Sequence, residues 1–208
     1  MLFSSINFIY YFLPALLLCY YISPKQFKNY ILLIFSLIFY SWGEPIYVFL
    51  MIFSAAFNYT MGKEILTNQQ SHKNSKPTLI FTIIVNVLIL SFFKYYGFAT
   101  DIVNALLGTD FHTTPLPLPI GISFYTFQAL SYIFDIYNHK VTKRNRFIEF
   151  ILYLSLFPQL IAGPIVQYKD VENQLRERTV SMQDFGYGAE RFIIGLSKKV
   201  LLANTLGS

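Results

Sequence analysis

Long apolar stretches with few or no charged residues alternate with short polar segments along this chain. A helix that crosses a bilayer needs about 20 predominantly apolar residues, because the hydrocarbon core is ~30 Å thick. The pattern predicts an all-α protein, a multi-pass transmembrane helical bundle of about six or seven helices. No segment is long enough to be a linker between folded domains, so residues 1–208 are predicted to form a single transmembrane domain. The apolar stretches are residues 6–22, 30–42, 46–61, 79–93, 115–134, 150–166 and 192–206.

Two of these stretches allow more than one interpretation. Stretch 30–42 is too short to cross alone, so it either continues through Phe27, Lys28 and Gly43 or forms a half-helix buried against its neighbours. The first stretch could belong to a secretory signal peptide, but no basic residue precedes Lys25. Signal peptides begin with a basic region, so a retained first helix is predicted.

The composition agrees with a membrane protein and changes the meaning of the charge. Hydrophobic residues make up 54% of the chain and charged residues only 13%, too few charges to solvate so much apolar surface. The formal net charge of +5 could indicate nucleic acid, but most basic residues lie between the apolar stretches. They are interpreted as topology signals, and no nucleic-acid partner is predicted.

The loop charges predict an orientation, because lysine and arginine favour the cytoplasmic loops of membrane proteins. The acidic segment 169–190 is predicted to lie outside, and Lys198 and Lys199 toward the cytoplasm. The N-terminus is then outside, and the basic segments that lie at the cytoplasmic side are residues 23–29, 62–77 and 138–147.

Two polar segments near the end of the chain contain local sequence signals that predict helices. Val171 and Leu175 lie four residues apart in segment 169–178, as in a short helix on the membrane surface, with a solvated loop as the alternative. Ser181 and Asp184 have the S-x-x-D spacing of a capping box, so a new helix is predicted to begin there.

The fifth apolar stretch carries polar residues at one-turn intervals. At about 100° per residue, Tyr125, Gln128, Tyr132, Asp135 and His139 fall in one sector of a helix. Polar groups inside a bilayer are costly unless they face protein or a water-filled cavity, so this stripe is predicted to face inward. It either hydrogen-bonds neighbouring helices or lines a substrate-accessible cavity, and periodicity leaves both open.

The sixth apolar stretch contains helix-breaking residues. Pro158 lacks the N–H that a helix interior needs, and Gly163 with Pro164 interrupts the helix again. Backbone groups freed in this way are tolerated in a membrane only where protein buries them or where they line a wet cavity. Gln159, between the two breaks, favours the cavity, while an ordinary proline kink is the alternative.

Five motifs occur along the chain in a fixed order. They are YSWGEP (40–45), FFKYYGF (92–98), LPIGISFYTFQALSYIFDIY (118–137), FPQLIAGPIVQY (157–168) and RFIIGLSKKVLLAN (191–204). Together they resemble the N-terminal half of the membrane-bound O-acyltransferase family, in the branch of the bacterial alginate O-acetylation and D-alanyl transfer proteins. The resemblance covers nearly the whole chain, and the third and fourth motifs are long enough to be specific.

The resemblance implies an acyltransferase that delivers an acyl group, typically acetyl, to a hydroxyl of an extracytoplasmic polysaccharide or cell-envelope glycopolymer. The expected donor is acetyl-CoA, another acyl-CoA or an acylated carrier protein, with no bound cofactor. The expected partners are the lipid bilayer, this donor and polysaccharide-modifying envelope proteins, and the expected location is the inner (plasma) membrane. The candidates for lining a substrate passage are Tyr125, Gln128, Tyr132, Asp135, Gln159, Gly163 and Pro164.

The hallmark of the family is a core histidine that acts as general base or orients the acceptor hydroxyl. The resemblance implies that it lies beyond Ser208, in a C-terminal catalytic portion, so no catalytic residue is assigned in residues 1–208 and these alone are predicted to be inactive. His72, His112 and His139 lack the histidine context of the family, and no metal site is predicted. Two other functions stay open: a polysaccharide exporter or secondary transporter, and a noncatalytic membrane scaffold of an envelope complex.

Overall fold

The computed structural model describes residues 3–107, 117–141, 146–160, 166–178 and 180–203. Within these ranges every regular element is a helix, which confirms the all-α fold class. A π-helical segment, Asn7–Phe12, leads into α1, and a second, Lys198–Ala203, continues the last helix. The α-helices are α1 (Leu13–Ile22), α2 (Lys28–Gly43), α3 (Tyr47–Gln70), α4 (Lys76–Leu107), α5 (Ile122–Tyr137), α6 (Phe147–Ser155), α7 (Phe157–Leu160), α8 (Tyr168–Arg176) and α9 (Met182–Ser197).

Helix α4 is much longer than the apolar stretch 79–93 that predicts it. Lys94 and Asp101 interrupt the apolar run, but neither residue type breaks a helix, so the helix continues through them. Among the described residues, only this helix is long and apolar enough to cross a membrane on its own. The multi-pass arrangement therefore stays a prediction for the other helices.

Helix α2 extends beyond both ends of the short apolar stretch 30–42. It begins at Lys28 and ends at Gly43, so it includes two of the three residues that the first interpretation adds, while Phe27 is the N-cap. The Nζ of Lys28 lies 4.6 Å from the centroid of the Tyr20 ring, so the charge at the start of the helix is held against an aromatic face. Sixteen residues rise about 24 Å along a helix axis.

Contacts between distant segments define two ends of the helical assembly. At one end, the Gln69 side chain donates to the carbonyl of Tyr137 at 3.0 Å, which joins the end of α3 to the end of α5. At the other, Tyr40 Oη donates to the carbonyl of Ile120 at 3.0 Å, which joins the end of α2 to the residues before α5. We call the first the basic end, because it holds the described parts of the predicted cytoplasmic segments 23–29, 62–77 and 138–147.

The chain after α6 turns back instead of continuing in one direction. Helix α7 reaches the start of α5, where the carbonyl oxygen of Leu160 lies 3.0 Å from the position that a Cβ on Gly121 would take. Val166 lies alongside α6 again, because Tyr153 Oη donates to its carbonyl at 2.6 Å. The break between α6 and α7 is at Leu156, whose ψ of 110° is outside the helical range.

Helix α8 consequently lies at the basic end. Asn29 Nδ2 donates to the carbonyl of Leu175 at 2.8 Å, and Arg176 Nε donates to Glu149 Oε2, in the first turn of α6, at 3.3 Å. The prediction that the acidic segment 169–190 lies at the other end is therefore wrong for residues 169–178. Apolar composition cannot distinguish a segment that crosses from one that enters and returns, and the helix break allows the return. The prediction of a helix here is confirmed, with Leu175 buried.

Helix α9 begins at the predicted capping box. The backbone N–H of Asp184 donates to Ser181 Oγ at 3.1 Å, and the backbone N–H of Ser181 donates to Asp184 Oδ2 at 3.0 Å. These reciprocal bonds satisfy two backbone donors that a helix start leaves without intrahelical partners. The N-terminus of the helix is therefore set by its own sequence, since no residue of α9 is buried.

The direction of α9 follows from two ring contacts with the first helical segment. The Phe185 ring lies 5.7 Å from that of Tyr21, close to the basic end, and the Phe192 ring lies 6.4 Å from that of Phe8. Helix α9 thus runs away from the basic end. Lys199, just after it, lines a groove together with Phe8. The prediction that Lys198 and Lys199 lie with the cytoplasmic segments is wrong, because it took residues 150–166 as passing from one end of the helical assembly to the other, whereas α8 lies at the basic end.

A reciprocal amide pair attaches α4 to α3. Asn58 Nδ2 donates to Asn86 Oδ1 at 3.0 Å, and Asn86 Nδ2 donates to Asn58 Oδ1 at 2.9 Å. Each amide also donates within its own helix, to the carbonyl of Ser54 or Thr82. Both asparagines are buried, and buried amides need such partners, so the pair fixes the register of α4 on α3.

Candidate functional site

The polar stripe of α5 lies in the interior of the described residues. Tyr125, Gln128, Tyr132 and Asp135 are 1%, 1%, 2% and 4% exposed. The helix starts after Gly121, whose φ of 78° is in the left-handed region that glycine tolerates best. From Tyr125 to Asp135 the stripe extends about 15 Å along the helix axis. Its inward orientation agrees with the periodicity argument, whereas its role in lining a passage stays a prediction.

His139 does not belong to this stripe. Helix α5 ends at Tyr137, and His139 follows in a turn with a φ of 58°, exposed to solvent. The one-turn periodicity was extended two residues too far, because the sequence contains no proline or glycine to mark the end of the helix. His72 is likewise exposed in the loop after α3, and His112 lies outside the described residues.

Several buried polar atoms on and around the stripe have no hydrogen-bond partner within the described residues. Three belong to α5: Tyr125 Oη, Gln128 Oε1 and Asp135 Oδ2. Two more belong to neighbouring segments: Ser155 Oγ at the end of α6 and Tyr168 Oη at the start of α8. Such atoms are rare in folded proteins, since each unpaired buried group costs about 1–3 kcal/mol. Their concentration around one helix marks this region as a candidate site.

Aromatic side chains from α6 and α8 pack against the middle of the stripe. The Tyr132 ring lies 4.3 Å from Phe150 of α6 and 5.1 Å from Tyr168 of α8, and the rings of Tyr153 and Tyr168 are 5.2 Å apart. Sequence reasoning missed Tyr153, Ser155 and Tyr168, because their positions depend on how α6 and α8 pack in the fold. The only sequence feature that could have pointed to them is the presence of a tyrosine on either side of the predicted break, at positions 153 and 168.

The helix break is satisfied by side-chain hydrogen bonds. Gln159 Nε2 donates to the carbonyl of Tyr153 at 2.7 Å, and the backbone N–H of Phe157 donates to Ser36 Oγ at 3.4 Å. Gln159, a predicted lining residue, therefore pairs with backbone that the break frees. Gly163 and Pro164, the remaining two candidates, lie outside the described residues.

One charged group enters the interior along this stripe. Asp135 Oδ1 lies 3.7 Å from Lys140 Nζ, whose side chain is 52% exposed, while that of Asp135 is only 6% exposed. The Asp135 backbone carbonyl also accepts the N–H groups of Lys140 and Val141 at 2.8 and 3.3 Å. The carboxylate is thus held where the basic end meets the interior, with Oδ2 still able to accept a hydrogen bond.

This arrangement can bind and orient a polar group. Hydroxyl, amide and carboxylate groups can hydrogen-bond a ligand along the stripe. No histidine is buried in the part of the chain that the structure describes. The same residues include no group of three or more His, Cys, Asp or Glu side chains that could hold a metal ion.

Known proteins similar to this chain are O-acetyltransferases. The probable alginate O-acetylase AlgI of Pseudomonas syringae pv. tomato is 38% identical over 99% of this chain and 40% of its own length. The protein of the same name from Pseudomonas aeruginosa is 37% identical over 100% of this chain and 41% of its own length. The peptidoglycan O-acetyltransferase of Helicobacter pylori is 32% identical over 98% of this chain and 45% of its own length.

These matches cover only part of each relative, which limits what they show about this chain. No protein-family model and no solved structure matches the chain. The chain spans 40 to 45% of the length of these three relatives, so the similarity concerns one part of each. This chain is similar to that part of each relative over nearly its own whole length, which agrees with the predicted resemblance to the membrane-bound O-acyltransferase family.

Proposed function

We propose that a protein containing this chain transfers an acetyl group to a hydroxyl of an extracytoplasmic polysaccharide or cell-envelope glycopolymer. The observation that carries the proposal is the 32–38% identity, over nearly the whole chain, to proteins named alginate O-acetylase and peptidoglycan O-acetyltransferase. Alginate and peptidoglycan are both glycan polymers with free hydroxyl groups. The shared chemistry is therefore acetyl transfer to a glycan, and the acceptor polymer is left open.

The buried stripe of α5 supports a role for this chain in ligand passage. Transfer across a membrane needs a path along which a polar ligand can replace lost hydration with hydrogen bonds. Tyr125, Gln128 and Asp135 each offer a buried polar atom without a partner among the described residues, spread over about 15 Å. The donor proposed for this path is acetyl-CoA, another acyl-CoA or an acylated carrier protein.

The orientation that we propose puts the basic end in the cytoplasm and the N-terminus outside. The supporting observation is that α8 and the residues that follow it add Arg176 and Arg178 to the lysines and arginines already grouped at this end. Basic residues favour the cytoplasmic side, and an acyl-CoA or carrier-protein donor would approach from there. The location proposed is the inner (plasma) membrane, with several helices crossing it.

The test of the proposed function uses cells that lack the native gene and carry the complete reading frame that contains this chain. We expect the wild-type gene to restore ester-linked acetyl groups on the envelope polymer, measured after mild alkaline release. Asp135→Leu should reduce acetylation at least tenfold, a loss of about 1.4 kcal/mol of transition-state stabilisation, because it removes the buried carboxylate. Phe134→Leu is the control, since Phe134 is adjacent in sequence but 43% exposed.

Membrane abundance, measured by immunoblot, separates lost activity from lost protein. No acetylation by the wild-type protein on any envelope glycan would refute the proposed reaction. Equal acetylation by the Asp135→Leu and Phe134→Leu variants would instead refute the role of the stripe and leave the reaction intact.

A further inference from the structure

A cleft at the basic end brings together cations from three separate segments. It lies between the loop before α2, the start of α6 and the end of α8, and has two adjoining lobes of about 470 and 530 Å³. The residues that line both lobes are Lys25, Asn29, Leu175, Arg176 and Glu177. The basic residues that line one or both lobes are Lys25, Lys28, Arg146, Arg176 and Arg178.

The cations of this cleft are only partly neutralised. Arg176 forms salt bridges with Glu149 at 3.3 Å and Glu172 at 3.2 Å. Lys25, Lys28 and Arg178 form no salt bridge with any described residue. Two acidic residues, Glu149 and Glu177, line the cleft beside its five basic residues. The cleft therefore carries excess positive charge, and an anion that binds between the cations would reduce their mutual repulsion.

Two of the unpaired cations are held in place by contacts that are not ionic. The Nζ of Lys28 lies 4.6 Å from the centroid of the Tyr20 ring, and Arg178 Cζ lies 5.6 Å from the same centroid. Arg178 Nη2 also donates to Asn29 Oδ1, while Asn29 Nδ2 donates to the Leu175 carbonyl at 2.8 Å. Because these contacts fix both side chains beforehand, little side-chain entropy is lost when an anion binds.

The shape of these donors suits a phosphate group. A guanidinium presents planar pairs of N–H donors that match phosphate oxygens, and an ammonium adds a compact positive charge beside it. Exposed aromatic residues flank the cleft: Tyr21, Phe27 and Tyr30 are 46%, 55% and 46% exposed. Tyrosine is enriched at the level of lipid headgroups, so these neighbours favour a site that phosphates of a lipid or of a soluble ligand can reach.

We propose that this cleft is a binding site for a phosphate group, contributed either by an anionic lipid headgroup or by a soluble phosphate ester such as coenzyme A. Lys25, Lys28 and Arg178 contact the phosphate, and Asn29 positions Arg178. The proposal does not depend on acetyl transfer, because the site is built from residues separate from the α5 stripe.

The experiment measures binding of two phosphate probes to the complete protein, purified in detergent. One probe is coenzyme A, followed by calorimetry, and the other is dioleoyl phosphatidylglycerol, followed by native mass spectrometry with dioleoyl phosphatidylcholine for comparison. Each basic residue near a membrane surface contributes to the free energy of binding an anionic group. Removal of two such residues should therefore weaken binding about thirtyfold. We expect this loss for the Lys28→Gln/Arg178→Gln double variant and a loss of about fivefold for Lys25→Gln.

A matched control removes the same charge elsewhere. Lys63 and Lys73 are exposed near the same end but do not line the cleft, so Lys63→Gln/Lys73→Gln should bind both probes as the wild type does. Lys25 makes no hydrogen bond or salt bridge to the described residues, so Lys25→Gln decides the question if the Lys28/Arg178 variant is misfolded by circular dichroism.

The outcomes separate the two phosphate sources and the failure of the proposal. Binding of coenzyme A alone assigns the cleft to a soluble phosphate ester, and selective binding of phosphatidylglycerol over phosphatidylcholine assigns it to a lipid headgroup. Failure of both probes to bind, or equal weakening by the cleft variants and the Lys63/Lys73 control, would overturn the proposed site.

Discussion

At the residue scale, Gly62 occupies the closest approach between α3 and α5. A Cβ at this position would lie 2.9 Å from a ring carbon of Tyr132 and 2.9 Å from the Cδ1 of Ile136. Both neighbours are almost completely buried, and the Tyr132 ring is packed against Phe150 and Tyr168. The absence of a side chain at Gly62 therefore allows the polar stripe of α5 to lie against α3.

Gly62→Ala should destabilise the protein by about 1–3 kcal/mol, because overpacking displaces the buried Tyr132 ring. Gly97→Ala is the matched control, since Gly97 is also in a helix and nothing lies within 4 Å of the position that a Cβ would take there. At Gly97, alanine should stabilise the helix by up to about 1 kcal/mol. Thermal unfolding in detergent measures both changes, and a shift in the same direction for the two variants would contradict this packing.

The stripe itself shows how far residue-level reasoning from sequence reaches. The cost of polar groups in apolar surroundings predicts that Tyr125, Gln128, Tyr132 and Asp135 face inward, and that cost does not depend on the neighbours. The partners of these residues depend on tertiary packing. Tyr168 comes to the stripe through a chain reversal much later in the sequence, which no local pattern encodes.

At the element scale, the start of α9 is the clearest case of local sequence determining local structure. The hydrogen bonds of its capping box join residues within a four-residue segment and do not depend on contacts with other helices. No residue of α9 is buried. The hydrogen bond from the Ser181 hydroxyl, together with that from the Ser181 backbone N–H, holds the pKa of Asp184 below its ordinary value. The charged carboxylate is also favoured by the positive end of the helix dipole.

Ser181→Ala should raise the pKa of Asp184 toward the ordinary value of 3.8, because the hydroxyl donor is lost. A carboxyl whose pKa is lowered by folding stabilises the folded form above its ordinary pKa, and this contribution disappears as the pH falls through the lowered pKa. Fraying of the first turn of α9 should therefore increase on acidification in the wild type. Carboxyl carbon NMR titration reports the pKa.

Gln183→Ala serves as the control for this titration. Gln183 is exposed in the same turn and takes no part in the capping box, so its replacement should leave the titration of Asp184 unchanged. Equal effects of Ser181→Ala and Gln183→Ala would show that the capping box does not set the pKa.

The segment from α6 to α8 is the element that sequence reasoning could not place. Stretch 150–166 is apolar enough to be predicted as a crossing helix, and Pro158 predicts a break. The same features fit a kinked crossing and a reversal. The reversal is decided by contacts such as Tyr153 with Val166 and Arg176 with Glu149, which join residues 13 and 27 positions apart.

At the scale of the whole molecule, this reversal gives a labelling prediction. Asn74 and Asn173 are both exposed, in the loop after α3 and in α8, and should lie on one side, whereas Leu118 is 49% exposed at the other end. With the basic end in the cytoplasm, cysteines at Asn74 and Asn173 should be shielded from an impermeant thiol reagent in intact cells. A cysteine at Leu118 should be labelled.

Cys19→Ser removes the only cysteine of residues 1–208, and every cysteine in the rest of the reading frame is replaced by serine to give a cysteine-free background. Permeabilised cells should label the Asn74 and Asn173 positions and so confirm that both are reactive. Labelling of Asn173 together with Leu118 would disprove the return of α8, while labelling of both asparagine positions without Leu118 would reverse the proposed orientation and keep the fold.

The return of α8 to the basic end has a consequence for relating sequence to membrane sidedness in such chains. A hairpin that enters and leaves through one face contributes an apolar peak to a hydropathy profile but no net crossing. The parity of crossings, and with it the side on which every later residue lies, is therefore inverted relative to a count of apolar peaks. Two homologues with equal numbers of peaks could differ in sidedness downstream if a single break near Leu156 turned a hairpin into a crossing.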